Sequence, residues 1–111
     1  LIAWDPVNNN KKWSIAEPLP LWSGLLTTAG NGTADSGLVF YGTLNNNFKA
    51  VSTKDGASLY TKQLECGILG NPISFTDNSG HQKIAVFTGV GWLPAMFSGK
   101  KCPGVLHIFG L

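Results

Sequence analysis

The chain is 111 residues long, 43% hydrophobic and only 13% charged, which is enough apolar material for one small domain and far from a disordered composition. Its net charge of +2 comes from eight scattered lysines and no arginine against six acids, which argues against the clustered, arginine-rich surface of a nucleic-acid binder. Apolar runs last only a few residues and are closed by Gly, Pro or Asn, so none is long enough to be a membrane span.

In chain order, Leu1 to Trp4 reads as a strand end. Asp5-Pro6-Val7-Asn8-Asn9-Asn10 is a turn, because Asx and Pro residues supply its local hydrogen bonds and fixed φ. Lys12 to Ile15 returns as the next strand. Glu17 to Gly24 cannot join a regular ladder, since Pro18 and Pro20 remove donors, so it reads as a connector that delivers Trp22 to a definite place. Gly24 to Ala29 suits a short inner strand, and Gly30 to Gly37 an exposed, glycine-rich loop. Leu38 to Thr43, Phe48 to Ser52 and Ser58 to Leu64 are strands separated by the Asn45-Asn46-Asn47 and Lys54-Asp55-Gly56 turns.

A second connector, Cys66 to Pro72, leads into Ile73 to Thr76. The Asp77 to Gly80 turn leads on to Gln82 to Thr88. Gly89 to Pro94 is predicted to be an irregular loop, Ser98 to Gly104 another, and Val105 to Phe109 a closing strand. With no convincing 3.6-residue period, little or no helix is expected.

Two matches share one offset. Ala50 to Tyr60 lies over Ala3 to Trp13, and Ala85-Val86-Phe87-Thr88-Gly89 over Leu38-Val39-Phe40-Tyr41-Gly42, each displaced by 47 positions. Such a period, with several short strands per unit, is the signature of β-propeller blades. An ordinary β-sandwich with accidental similarity is the plainer reading. About two such repeats are too few for a closed ring, so the chain is expected to be part of a longer polypeptide. It divides into the end of one blade (1–15), one full blade (22–64) and a last blade with its closing strand (69–111).

Catalytic constellations are scarce. His81 in a turn and His107 in a strand have no metal-ligand spacing and read as solvated and structural residues. Cys66 and Cys102 are compatible with one disulfide or with two buried thiols. Asp5, Asp35, Asp55 and Asp77 all fall in turns, where backbone hydrogen bonds explain them. Glu17 and Glu65 precede connectors and form no evident carboxylate pair. The aromatics divide by position. Trp13 and its offset partner Tyr60, with Trp4, read as packing between neighbouring blades, the indole or phenol polar atom reaching a backbone carbonyl. Trp22 and Trp92 lie in irregular loops, where ligand-binding residues concentrate; stacking on a flat ligand and burial in the core are both open to them.

The motifs Ala3-Trp4-Asp5-Pro6 with Lys12-Trp13, Pro20-Leu21-Trp22-Ser23-Gly24, Thr28-Ala29-Gly30, Gly37 to Leu44, Phe48-Lys49-Ala50-Val51, Gly67 to Ile73 and Val86 to Trp92 together resemble the C-terminal part of a pyrroloquinoline quinone (PQQ) dependent alcohol dehydrogenase of the methanol dehydrogenase type. The resemblance implies an all-β fold, about two blades of an eight-bladed propeller, with PQQ near the axis and a Ca²⁺ or lanthanide ion beside it. It implies oxidation of a small primary alcohol, a cytochrome c electron acceptor and a periplasmic location. Trp22 matches a cofactor-contacting tryptophan, and Trp92 lies in a loop bordering the cofactor chamber, whereas the ion's ligands and the catalytic Asp fall in blades outside these residues. The sequence departs from the family pattern at the extra stretch Asn31 to Ser36, at Ser52, at Tyr60 and at Gly91-Trp92, where one of two glycines is missing. A non-catalytic propeller scaffold with similar tryptophan motifs is the rival reading.

Overall fold

The computed structural model describes residues 1–33 and 35–110, which form nine strands and one short helix in three antiparallel sheets. Ala34, in the predicted glycine-rich loop, and Leu111, at the end of the last predicted blade, lie outside the described residues. The first sheet pairs β1 (Ile2–Asp5) with β2 (Asn10–Ser14). The middle sheet runs in the order β3 (Leu26–Thr28), β4 (Leu38–Gly42), β5 (Asn47–Ser52), β6 (Ser58–Gln63). The last contains β7 (Ile73–Thr76), β8 (Gln82–Thr88) and β9 (Val105–Gly110), in that order.

Side-chain alternation explains why β4 reads as an unbroken apolar run. Val39 and Tyr41, with Val51 of β5, point to the first sheet and pack with Leu1, Trp13, Ile15 and Leu21. Phe40, Phe48 and Ala50 point the other way, onto Ile84 and Val86 of the last sheet, with Ile68 between them. A strand buried on both faces has no polar side to show. Phe48 is the centre of this second core, stacked 6.0 Å from Phe40 and 4.8 Å from Phe109. Each such ring buried contributes about 1.5–3 kcal/mol.

Trp13 bridges the first and middle sheets as its position in the repeat predicts. Its indole N–H donates to Thr53 O at 3.0 Å, and its ring lies so close to Gly56 that a Cβ there would come within 2.8 Å of it. Tyr60 meets the last sheet instead, edge-on to Phe109 at 6.1 Å. Trp4 lies on the outward side of β1, 55% exposed, with no described sheet beyond it. The far face of the last sheet, carrying Ile73, Phe75, Phe87, Leu106 and Ile108, is likewise apolar and exposed.

The region predicted as an irregular loop from Gly89 to Pro94 requires correction. Trp92–Ser98 is an α-helix, α1, with Pro94 in its first turn, where no intrahelical N–H is needed. Proline near the start and glycine at both flanks hide so short a helix from any search for a 3.6-residue period.

Candidate functional site

The segment from Ile15 to Leu25 carries Trp22 and is fastened on either side of it. Upstream, the Glu17 carboxylate accepts from the Tyr41 hydroxyl at 2.8 Å and from Lys49 Nζ at 2.7 Å, with only 4% of the Glu17 side chain exposed. Burial pushes the Tyr41 hydroxyl well above its ordinary pKa, and the bond to Glu17 pushes it further in the same direction. Downstream, Ser23 Oγ lies 2.8 Å from Gly24 O and 3.1 Å from Gly70 O, and accepts the Gly42 N–H at 3.2 Å. Between these two anchors Trp22 stands 55% exposed.

The second connector, from Glu65 to Pro72, lies against the first, since a Cβ on Gly24 would fall 1.7 Å from the Asn71 side chain. Its other side holds the residues leading to α1. Gly67 O accepts the Gly89 N–H at 3.0 Å, and Leu69 borders Gly91. Cys66 and Cys102 form a disulfide across a Cα–Cα distance of 6.0 Å, which resolves the two readings that spacing left open. Trp92, the first residue of α1, is 71% exposed. The structure therefore carries Trp22 and Trp92 on segments that flank the same connector, both outside the core.

Glu65 is the functional-looking residue that its sequence position understated. Its Oε1 accepts from Thr88 Oγ1 and lies 2.8 Å from His107 Nε2, joining β6's end to β8 and β9. Desolvation alone raises its pKa, but the Thr88 and His107 hydrogen bonds outweigh that and hold it at about 2. His107 is thus structural, as expected, with a charged partner. Glu17 and Glu65 each sit just ahead of a connector, and that shared placement is the one signal the sequence offered.

Three of the remaining acids do what turns require, and Asp35 instead pairs with Lys54 Nζ at 3.6 Å. Asp5 accepts from Val7 and Asn8, Asp55 from Ala57, and Asp77 from Ser79 and His81. Among the described residues no group of three or more His, Cys, Asp or Glu side chains could hold a metal ion. No described helix is long and apolar enough to cross a membrane. An apolar cavity of about 230 Å³ between β4–β6 and β9, lined by Phe40, Phe48, Tyr60 and Phe109, is a gap in inter-sheet packing away from both tryptophans.

No protein-family model matches the chain. It is 43% identical over 90 residues to the lanthanide-dependent methanol dehydrogenase of Methylacidiphilum fumariolicum (strain SolV), an alignment covering 81% of this chain and 14% of that protein. It is 39% identical over 99 residues to a quinoprotein ethanol dehydrogenase of Pseudomonas aeruginosa, covering 89% of this chain and 15% of that one. Among solved structures, a europium-containing methanol dehydrogenase superposes with a TM-score of 0.80 at 33% identity, over 99% of this chain and 23% of the other. The chain spans about one seventh of the length of the curated relatives it matches.

Proposed function

Because the chain belongs to the PQQ-dependent quinoprotein alcohol dehydrogenases, matching one section of their propeller, we propose that these residues form one wall of the PQQ pocket in an enzyme that oxidises a primary alcohol such as methanol. The same proposal has the enzyme working in the periplasm, with a Ca²⁺ or lanthanide ion beside the cofactor and a cytochrome c as electron acceptor.

The observation that carries the reading is the exposure of Trp22 between two buried polar anchors. An indole is the largest apolar side chain, and holding one open on a rigid connector forgoes its burial. A flat ligand recovers that surface by stacking. Trp22 and Trp92 fit one side of a planar quinone, offering apolar faces that bind it, orient it and keep water from it. When bound, PQQ supplies the two-electron acceptor for alcohol oxidation. Glu17 is occupied by Tyr41 and Lys49, and Glu65 by Thr88 and His107. As the family resemblance implies, the base and the ion's ligands are assigned to other parts of the polypeptide.

The test uses the full-length chain. Trp22→Ala is expected to raise the PQQ dissociation constant roughly tenfold or more, the loss of one stacking face, while the apoprotein melts as before. Unchanged affinity removes Trp22 from the pocket. A preparation that stays colourless and fails to reduce a dye with primary alcohol after addition of PQQ and ion rejects the enzyme and leaves the propeller scaffold.

A further inference from the structure

We infer that Asn31 is a modification site, where the folded loop converts asparagine to aspartate and isoaspartate through a succinimide, with Thr33 assisting the first step. The inference is independent of the cofactor reading. Asn31 opens the stretch by which the sequence departs from the family pattern, and among the chain's asparagines it alone precedes a glycine. Gly32 has φ 87°, and a Cβ there would meet nothing within 4 Å, so its peptide nitrogen has no side chain to shield it. Asn31, Gly32 and Thr33 are all exposed.

The Asn31 side chain is already folded back onto that nitrogen. The Thr33 N–H donates to Asn31 Oδ1 at 3.2 Å, and the Thr33 hydroxyl donates to the same oxygen at 2.9 Å. The first bond closes a small ring that contains both Asn31 Cγ and Gly32 N, which holds nucleophile and carbonyl within one turn. Both donors also face the atom on which negative charge develops when Cγ is attacked, and donors so placed lower the barrier to acyl transfer. One contact opposes the reaction. The Gly32 N–H donates to Ala29 O at 3.2 Å, a long turn bond on an exposed loop that has to open first.

In the first step Gly32 N bonds to Asn31 Cγ and the Cγ–Nδ2 bond breaks. The Gly32 amide proton passes to hydroxide or water, and the carboxamide nitrogen takes up a proton and leaves as ammonia. Water then adds to either carbonyl of the cyclic imide, giving aspartate from one and isoaspartate from the other, with no oxidant or reductant involved. Other asparagines lack this combination. Asn71 precedes Pro72, whose nitrogen has no proton to lose, and the Ser79 N–H that follows Asn78 is held by Asp77 at 2.9 Å. The base of the loop is closed by the Thr53 N–H on Gly37 O at 3.0 Å and by Ser36 Oγ on Ala29 O at 3.0 Å, so the new charge and the extra backbone methylene stay outside the sheets.

The test incubates the full-length chain at neutral and mildly alkaline pH, digests it at intervals and maps the peptides by mass spectrometry, with isoaspartate scored by carboxyl-methyltransferase labelling. Asn31 should convert about tenfold or more faster than the other asparagines of this segment, the rate should rise with pH, and isoaspartate should appear. Gly32→Ala, which puts a Cβ at a φ that L side chains rarely adopt, should slow conversion roughly tenfold, and Thr33→Val, which keeps the N–H and removes the hydroxyl, roughly threefold to tenfold. Both residues lie in an exposed loop outside either core, so the variants fold as the parent does. An Asn31 that stays intact in the folded chain and converts only in urea overturns the inference. Aspartate without isoaspartate overturns it too, because direct hydrolysis bypasses the imide. A Thr33→Val chain that converts as fast as the parent overturns the assistance assigned to Thr33.

Discussion

The middle and last sheets are copies in sequence that part company after their second strand. Shifted by 47 positions, β3 falls on β7, β4 on β8 and β6 on β9. In space, however, β9 pairs with β8 and so takes the place that β5 holds beside β4. The stretch that should have been the third strand is α1.

The cause lies in the turn. In the middle sheet Thr43 to Asn47 closes a tight hairpin: the Thr43 N–H donates to Asn47 O at 2.9 Å, the Asn47 N–H donates back to Thr43 Oγ1 at 3.0 Å, and Asn46 adopts φ 72°. The corresponding residues are Val90 to Pro94. Valine has no hydroxyl to accept, leucine is a poor occupant of positive φ, and proline has no N–H to donate. The copy that lost its turn chemistry became a lobe held from outside, and that lobe presents Trp92.

The comparison is sharpened first by the residues that fill the third-strand slot. Phe48→Ala, in the fully buried place between Phe40 and Phe109, should cost about 3–5 kcal/mol, read from denaturation midpoints of the full-length chain. Phe109→Ala, at the half-buried β9 residue that stacks on Phe48, should cost about 1–2 kcal/mol. Equal losses would mean that the last sheet is as closed as the middle one.

The two glutamates ahead of the connectors give the next contrast. Glu17→Ala strands the Lys49 charge and the Tyr41 hydroxyl in a buried site and should cost about 3 kcal/mol. Glu65, with 37% of its side chain exposed, sits in a solvent-screened pair, so Glu65→Gln at neutral pH should cost less than about 1 kcal/mol. Reversed magnitudes would show that the last sheet depends more on its charged clasp than burial indicates.

The smallest effect is in acid. Glu65 is held at about 2, below its ordinary 4.5, so it contributes stability above pH 4.5 that is lost as pH falls toward 2. Unfolding midpoints followed across that window should fall less steeply for Glu65→Gln than for the parent. Parallel slopes would remove the carboxylate's role.

Strand placement was legible because each strand carries its own pattern and turn residues. Pro18 and Pro20 marked the first connector, and Trp13 announced its inter-sheet bond through the repeat. The α1 helix was not legible, because seven residues containing a proline give no periodicity to read. For Trp4 the repeat gives the phase along the chain and does not show whether a neighbouring sheet covers it. The Glu65, Thr88 and His107 cluster joins three elements far apart in sequence, and no local pattern encodes that meeting.

By itself the sequence determined the repeat, its strands, its turns and the family it belongs to, since these follow from side-chain alternation and from residues that fix φ or withhold an N–H. Only the tertiary structure decided that β9 stands where a third strand was due, that Cys66 reaches Cys102, and that Trp22 and Trp92 flank one connector. Those outcomes depend on which distant surfaces compete for the same space, a quantity that no single stretch of chain contains.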